Sequence, residues 1–290
     1  MKKDRVSFWI VLGMILALPL LASSAAGGDV LETVGNGTIN WSSGVVQGTG
    51  IGAPPENLYG KPSARPMALR AAKLDALRNI LEVVNGVRID STSVVRDFAV
   101  DSDVITAKVQ GMVRGAQEVK KEYLSDGTVE VTMQVSIYGG FAQLMLPRDI
   151  KQVEPITPVK PLAPAPAPST PAAQTPPAVL TGLVIDARGL NARPAMAPKV
   201  LDEAGQEVYG SAFVSREYAV QQGMSGYAKD IEAARSNARV ADNPLVLRGL
   251  RTEGAGRCDI VISNADAARV RSASEHLSFM KKCRIMMVVD

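Results

Sequence analysis

The most regular pattern of apolar and polar positions lies between residues 128 and 137. Valine, methionine and isoleucine alternate there with polar side chains (TVEVTMQVSI), a period of two that predicts a half-buried β-strand. Ser125-Asp126-Gly127 precedes this segment and predicts a tight turn, because glycine accepts a positive φ. The pattern therefore predicts a hairpin. Its first strand is expected to run from about Val104 to Tyr123, with bulges or bends at Gly111 and Gly115.

A second pattern, with apolar residues every three or four positions, predicts one long helix from Ser63 to Asn85. Ser63 is expected to cap the first turn, and Gly86 is expected to end the helix in a left-handed conformation. The predicted core stripe consists of Met67, Ala71, Leu74, Leu77 or Arg78, Leu81 and Val84. Small residues at 68, 72 and 76 widen this stripe, so that the helix could approach a sheet closely.

The segment before the helix, residues 38–51, has the composition of a strand that is unusually rich in glycine (TINWSSGVVQGTGI). Glycine weakens a strand interior, so we expect this strand to be bulged or frayed. The resulting order of elements is βαββ. It predicts an α+β fold in which the helix packs on one face of an antiparallel sheet.

Residues 180–290 alternate between strand and helix patterns and predict a mixed α/β domain. We predict a strand, a hairpin, two short helices, two strands, a helix and a last strand. The first strand is predicted at 183–185, the hairpin at 199–209 and the two short helices at 215–222 and 228–238. The next two strands are predicted at 245–250 and 259–262, the helix from about 265 onwards and the last strand at 285–289. The last helix and the two strands beside it are expected to form a βαβ unit with parallel strands.

A run rich in proline separates the two patterned regions. Nine prolines lie between Pro155 and Pro177, and proline fixes φ and lacks an amide donor, so neither helix nor sheet is expected there. The chain thus divides into residues 27–150, a linker at 151–179, and residues 180–290. An extended linker of this kind could reach on the order of 70 Å. It could separate two envelope layers or partners, or serve as an ordinary tether.

The first 26 residues have the features of an export signal. Three basic residues near the start precede a 17-residue apolar run, Val6 to Ala22, and small residues follow it at positions 24–26. The run is short for a spanning helix, so we expect cleavage rather than retention as a membrane anchor. No cysteine lies near this site, so lipidation there is not expected. The predicted location is the periplasm or cell envelope, without a transmembrane segment after the signal.

Charge and composition argue against one class of partner. The formal net charge of the chain is +3, of which +2 belongs to the predicted signal. Aromatic residues make up 4% of the chain, which is low for a protein that stacks on bases. By these totals the chain lacks the concentrated basic stripe of a polyanion-binding protein, and we do not expect it to bind nucleic acid.

Two cysteines, Cys258 and Cys283, each stand directly before a strand of the predicted βαβ unit. Parallel strands joined by a crossover begin at the same edge of a sheet. If the two strands are neighbours, the sulfurs could form a disulfide in an oxidising compartment. The alternative is a pair of buried free thiols in strands that are further apart.

Candidate catalytic chemistry is sparse. The chain has one histidine, His276, and the glycine-flanked serine in residues 223–227 (GMSGY) lacks the spacing of a nucleophile elbow. One histidine and two distant cysteines do not suggest zinc, and no cofactor is expected. The remaining option is a set of carboxylates, Asp186, Asp202 and Asp259, for a cation or for acid–base chemistry. Acids at turns and strand ends more often serve as caps or solvated groups.

The segment Tyr59–Gly86, with its Ala71-Ala72, Asp75-Ala76 and Leu81-Glu82 pairs and the hairpin after it, resembles the Lpp-twenty lipoprotein family of bacterial envelopes. It is also similar to the amino-terminal domain of flagellar T-ring assembly proteins. Thr181–Leu190 resembles part of a module carried by related envelope proteins. This chain departs from the lipoproteins because it has no cysteine after the signal.

The resemblance implies an exported, non-enzymatic structural or adaptor protein of the cell envelope. It further implies protein partners in a surface assembly such as the flagellar base. The alternative hypothesis is an envelope enzyme, or a module that binds a cation or small ligand through the carboxylates of residues 180–290.

Overall fold

A computed structural model describes residues 28–100, 102–150, 180–273 and 278–290. The predicted signal, the proline-rich linker and His276 lie outside the described residues. Residues 28–150 are called the first half below, and residues 180–290 the second half.

The first half is a five-stranded antiparallel sheet with helices. The strands are β1 (Leu31–Val34), β2 (Gly37–Asn40), β3 (Val45–Gly52), β4 (Gln117–Tyr123) and β5 (Val129–Ser136). The helices are α1 (Ala64–Asn85), α2 (Val95–Val100), α3 (Asp103–Arg114) and α4 (Gly140–Met145), and a 3₁₀ turn spans Glu56–Leu58. The sheet order is β1-β2-β3-β5-β4. The predicted helix on an antiparallel sheet is confirmed, with three strands rather than one before the helix.

The predicted hairpin forms between β4 and β5. Gly127 turns between them with a φ of +87°, and the pairing shifts between Glu118 and Lys120 as at a β-bulge. The first strand is nevertheless much shorter than predicted, because most of residues 104–116 belong to α3. Ser102 begins that helix by accepting a hydrogen bond from the backbone N–H of Ile105. Gly111 lies inside α3 and Gly115 ends it, so neither marks a bend in a strand.

The glycines of β3 explain why α1 lies so close to the sheet. Gly48, Gly50 and Gly52 all face α1; a Cβ on Gly50 would lie 2.1 Å from the backbone N of Ala76. Such a distance is shorter than any real contact, so the helix backbone lies where side chains would otherwise be. The expectation of a bulged or frayed strand was wrong. β3 pairs regularly with β2 and β5, and its glycines make room for the helix.

This close contact also moves the core stripe of α1. The buried residues of the helix are Ala64, Ala68, Ala72, Ala76, Asn79, Ile80, Val83 and Val84. Met67 and Leu74, which the sequence pattern assigned to the core, are 48% and 57% exposed. Gly50 and Gly52 meet the helix backbone at Ala68, Ala72 and Ala76, so the alanine face turns inward together with Ile80, and Met67 and Leu74 turn outward.

The ends of α1 differ from the prediction in detail. Ser63 precedes the helix but its side chain accepts no capping hydrogen bond. Gly86 ends the helix with a φ of −88°, which is not left-handed, and its N–H donates to the carbonyls of Val83 and Val84. Gly86 closes the last turn without a left-handed residue.

The second half contains two four-stranded sheets. One has the order β10-β6-β13-β9 and is wholly parallel; the other has the order β11-β12-β7-β8 and is mixed. The strands are β6 (Gly182–Asp186), β7 (Val200–Leu201), β8 (Glu207–Tyr209), β9 (Gly226–Ala228), β10 (Pro244–Arg248), β11 (Arg251–Glu253), β12 (Asp259–Val261) and β13 (Ile285–Val288). The helices are α5 (Arg216–Gln222), α6 (Ile231–Arg235), α7 (Asn264–Ala273) and α8 (Ser278–Lys281), with a 3₁₀ turn at Ser211–Phe213.

The mixed α/β character of the second half and its final strand are confirmed. The predicted βαβ unit needs one correction. β12, α7 and β13 follow one another as expected, but β12 belongs to the mixed sheet and β13 to the parallel sheet. The crossover therefore joins two sheets instead of two strands of one sheet.

One hydrophobic cluster continues through both halves. It includes Ile39 and Val46 from the first sheet and Leu183, Tyr209 and Tyr227 from the second half. The two halves thus share a core. Among the described residues, none of the helices combines the length and the apolar character needed to cross a bilayer.

Candidate functional site

The two cysteines, which were candidates for a disulfide, are free and buried in the structure. They precede strands of different sheets, so the neighbouring strands that the disulfide required are absent. Cys258 Sγ lies 3.2 Å from the carbonyl oxygen of Gly256. Burial raises the pKa of each thiol to about 11. Both are therefore neutral, unreactive thiols at neutral pH.

The three candidate carboxylates occupy separate settings. Asp186 lies at the end of β6 and accepts two hydrogen bonds from the Arg188 guanidinium at 2.8 Å, which lower its pKa. Asp202 lies in the β7–β8 turn, where Arg271 and backbone amides lower its pKa. Within the described ranges, no group of three or more acidic, cysteine or histidine side chains could hold a metal ion.

Asp259, the third carboxylate, helps to join the two halves. It accepts a hydrogen bond of 2.5 Å from the Ser91 hydroxyl of the first half and one of 2.9 Å from the backbone N–H of Lys199. Burial raises its pKa more than these hydrogen bonds lower it. Its position between two polar partners indicates a structural contact.

A partly buried ion cluster lies at the junction between the halves. Glu32 on β1 accepts hydrogen bonds from both terminal nitrogens of Arg88, and from Arg193 of the second half at 2.9 Å. Arg88 follows α1, is 6% exposed, and also donates through Nε to the carbonyl of Pro194 at 2.8 Å. Trp41 Nε1 donates to Glu32 at 3.0 Å. We call Glu32, Arg88, Arg193 and Trp41 the junction cluster.

The electrostatics of the junction cluster favour the charged forms. Burial by itself would raise the pKa of Glu32, but the hydrogen bonds and charge of Arg88, with further donors from Trp41 and Arg193, lower it overall. The Arg88 guanidinium also lies over the Trp41 ring at 5.8 Å from its centroid. A bidentate arginine–carboxylate pair of this kind fixes geometry as well as charge.

An aromatic contact continues the junction into the second half. The rings of Trp41 and Tyr227 meet edge to face with centroids 5.9 Å apart. Tyr227 is buried and donates its hydroxyl to the carbonyl of Ala195 at 2.7 Å, and its own backbone carbonyl accepts from the Ser42 hydroxyl at 2.9 Å. Burial is the main reason that the pKa of this tyrosine is raised.

Backbone pairing reinforces these side-chain contacts. The carbonyls of Arg88 and Ile89 accept hydrogen bonds from the N–H groups of Met196 and Ala197 at 3.0 and 2.7 Å. The carbonyl of Ser91 accepts from Gly256 at 2.7 Å. Residues 88–91 therefore bond through their backbone carbonyls to two segments of the second half. The halves are held as one body by backbone and side-chain bonds together.

Sequence reasoning did not identify the junction cluster. One signal was present, because Arg88 stands between the apolar residues Val87 and Ile89, and a charge that is buried with such neighbours needs a partner. Trp41 is the single tryptophan after the predicted signal. The partners, Glu32 and Arg193, lie 56 and 105 positions from Arg88, and no local pattern connects them.

The first sheet has an exposed edge at β4. This strand ends the sheet, pairs only with β5, and all seven of its residues are exposed. Two ion pairs partly neutralise it: Lys120 with Glu122 at 2.9 Å and Lys121 with Glu118 at 3.2 Å. Glu118 also pairs with Lys73 of α1 at 2.9 Å. The Glu118–Lys73 ion pair therefore connects β4 to α1, and the side of β4 away from β5 has no neighbour among the described residues.

Comparison with known proteins identifies a relative for the second half. Residues 182–290 match the family model described as the second domain of Treponema pallidum Tp0624. The match begins at the first residue of β6, so it covers both sheets of the second half and none of the first half. No curated protein matches the chain.

Proposed function

We propose that this chain is an exported, non-enzymatic structural or adaptor protein of the cell envelope, which binds a partner protein along the edge of β4. The predicted signal supports export, and the sequence resemblance of the first half supports an envelope assembly such as the flagellar base. The observation that carries the proposal is the open edge of β4, on a body whose two halves are fastened together.

An open edge favours strand addition as the mode of binding. An extended segment of another protein can pair with the free backbone groups of an edge strand and gain a regular set of hydrogen bonds. The adjacent lysines of β4, with a glutamate on either side of them (EVKKE), would then select a partner strand of complementary charge. Lysines and a bulge protect an edge strand from indiscriminate pairing. A second copy would bring its own lysines against those of β4, so a foreign strand is a better occupant than a second copy.

The rigid junction suits an adaptor. Residues 88–91 and the junction cluster bind the second half directly to the sheet that contains β4. A force or displacement applied to a partner at β4 would therefore reach the second half without a flexible hinge between the two described sheets. The second half is then free to contact another component of the same assembly.

Location can be tested by fractionation of cells that produce the full chain with a carboxyl-terminal tag. We expect a product shortened by about 26 residues in the periplasmic or envelope fraction. A full-length product in the cytoplasmic fraction would contradict the proposal.

The β4 edge can be tested with a photo-crosslinking amino acid placed at Val119 in cells. Leu31, on the opposite edge strand β1, is the matched control, since the two side chains are 45% and 57% exposed. We expect one discrete adduct from position 119 and none from position 31, and the partner identified in that adduct should in turn capture this chain when purified. Equal adducts from both positions, or none from either, would refute strand addition at β4.

A further inference from the structure

The outward side of α1 has an unusual composition. Met67, Arg70, Ala71, Leu74 and Arg78 recur every three or four residues, lie on one side of the helix and are all exposed. We call these five residues the α1 ridge. Met67 and Leu74 are 48% and 57% exposed, although large apolar side chains usually gain by burial. No described element covers the ridge.

The charge of this region is concentrated in a way that whole-chain totals conceal. Helix α1 and Lys61 before it contain five basic residues and two acidic residues, Asp75 and Glu82, a net charge of +3. Asp75 accepts from the backbone N–H of Ile51 at 3.1 Å and pairs with Arg78 at 3.5 Å. Residues 27–150 as a whole carry −2, so the rest of the first half carries −5. Basic residues are therefore in excess on this helix, although the first half as a whole is acidic.

Three of these cations, Lys61, Arg65 and Arg70, are exposed and have no ion-pair partner among the described residues. Arg65 instead lies over the ring of Tyr123, 5.9 Å from its centroid. Unpaired cations beside exposed apolar side chains indicate a surface that meets an anionic occupant with apolar character.

Aromatic and apolar residues extend the ridge at the amino-terminal end of α1. Tyr59, Tyr123 and Leu124 are 55%, 50% and 47% exposed. The turn at Gly127 brings the hairpin next to Tyr59, because a Cβ on Gly127 would lie 3.9 Å from the Tyr59 ring. Two tyrosines thus stand at the border of the apolar and cationic side chains.

We infer that the α1 ridge and the adjoining tyrosines rest on an anionic phospholipid surface. Apolar side chains flanked by arginine and lysine, with tyrosine at the margin, are the composition of helices that lie in a membrane interface. The ridge is the outer side of a helix and projects from the domain. A flat lipid surface fits such a ridge better than an extended peptide, which needs a groove or an open strand edge.

The inference rests on the proposed function in one respect, since an envelope protein works beside a membrane. Two inserted apolar side chains and a few cations give only weak, reversible attachment, which salt should weaken further. Such attachment would orient the chain on the membrane and leave the edge of β4, beside the ridge, to the partner.

The test is sedimentation of residues 27–290, which include every described element, with vesicles of phosphatidylcholine alone or mixed with phosphatidylglycerol. The ridge variant carries Arg70→Gln with Leu74→Ser. The control carries Arg248→Gln with Leu250→Ser, the same two changes at exposed positions of the second half. We expect binding to the anionic vesicles only, weakened by salt, and a partition coefficient about tenfold lower in the ridge variant than in the control.

Three results would overturn the inference. The first is equal binding of the chain to both vesicle types. The second is an equal loss of vesicle binding in the ridge variant and in its control. The third is a ridge variant that changes self-association in analytical ultracentrifugation and leaves vesicle binding unchanged. Circular dichroism of each variant verifies folding. The vesicle assay contains no partner protein and the crosslinking at Val119 reports on partners, so either proposal can fail while the other stands.

Discussion

Replacing Arg88 by methionine tests how much the junction cluster holds the halves together. Methionine keeps most of the volume of the buried side chain but removes the charge. The carboxylate of Glu32 then loses two of its donors, and the carbonyl of Pro194 loses its hydrogen bond from Nε. Glu32 retains Arg193 and Trp41.

The expected cost follows from these partners. Removing one member of a buried ion pair destabilises a protein by about 3–5 kcal/mol. The Glu32 side chain is 22% exposed and keeps two donors, so the lower end of that range applies, about 3 kcal/mol. In a double variant that also carries Glu32→Gln, the carboxylate charge that has lost its Arg88 partner is removed. The double variant should therefore be less destabilised than the sum of the two single variants.

Urea unfolding at pH 7 gives the free energies of unfolding of wild type and the variants. The pH dependence of the same free energies is an independent check on the role of Glu32. The folded pKa of Glu32 lies below its ordinary value of 4.5, so its stabilising contribution is present above pH 4.5 and lost as pH falls through the folded pKa. The difference between wild type and Arg88→Met should shrink in that acid range. A cost under about 1 kcal/mol, or strict additivity with Glu32→Gln, would refute the description of this pair as a coupled, buried contact.

Three further predictions concern packing, thiols and one carboxylate. Gly50→Ala should destabilise by about 1–3 kcal/mol in urea unfolding, because the new Cβ meets the backbone of α1; Gly111→Ala, with open space around it inside α3, should be neutral or stabilising by up to about 1 kcal/mol. Cys258 and Cys283 should give two thiols on titration in denaturant without reductant, and none promptly in the native protein; a count of zero in denaturant would indicate a disulfide. The folded pKa of Asp259 lies above its ordinary value of 3.8, so its protonation favours the folded state. Wild type should therefore gain stability relative to Asp259→Asn as pH falls from 7 through that pKa, and an unchanged difference would show that the carboxylate is not desolvated.

Local pattern was sufficient for elements whose environment is simple. The alternation of apolar and polar residues predicted strand β5, because one face of that strand is buried and the other is not. The glycine predicted the hairpin turn before it. The same reasoning failed for α3. Its Ile105, Val109 and Met112 have helical spacing, but the prediction continued the first strand of the hairpin through them. The Ser102 cap was the local signal that would have decided between the two.

The orientation of α1 could not be predicted from the helix alone. Its sequence offers two faces of similar apolar content, one of alanines and one with Met67 and Leu74. The choice depends on Gly50 and Gly52 of β3, which bring the helix backbone too close for side chains larger than alanine at that point. The junction cluster was beyond reach for a related reason, since Glu32, Arg88 and Arg193 meet only after both halves have folded.

The contact between α1 and β3 has a consequence for the thermal behaviour of the first half. Glycine and alanine have no side-chain rotamers to freeze, so the part of the contact where Gly50 and Gly52 meet Ala72 and Ala76 costs almost no side-chain entropy. That part also has no rotamers through which it could loosen when heated. We therefore expect the helix and strand to keep a fixed separation until the domain unfolds, which makes α1 a stiff support for whatever its outer side touches.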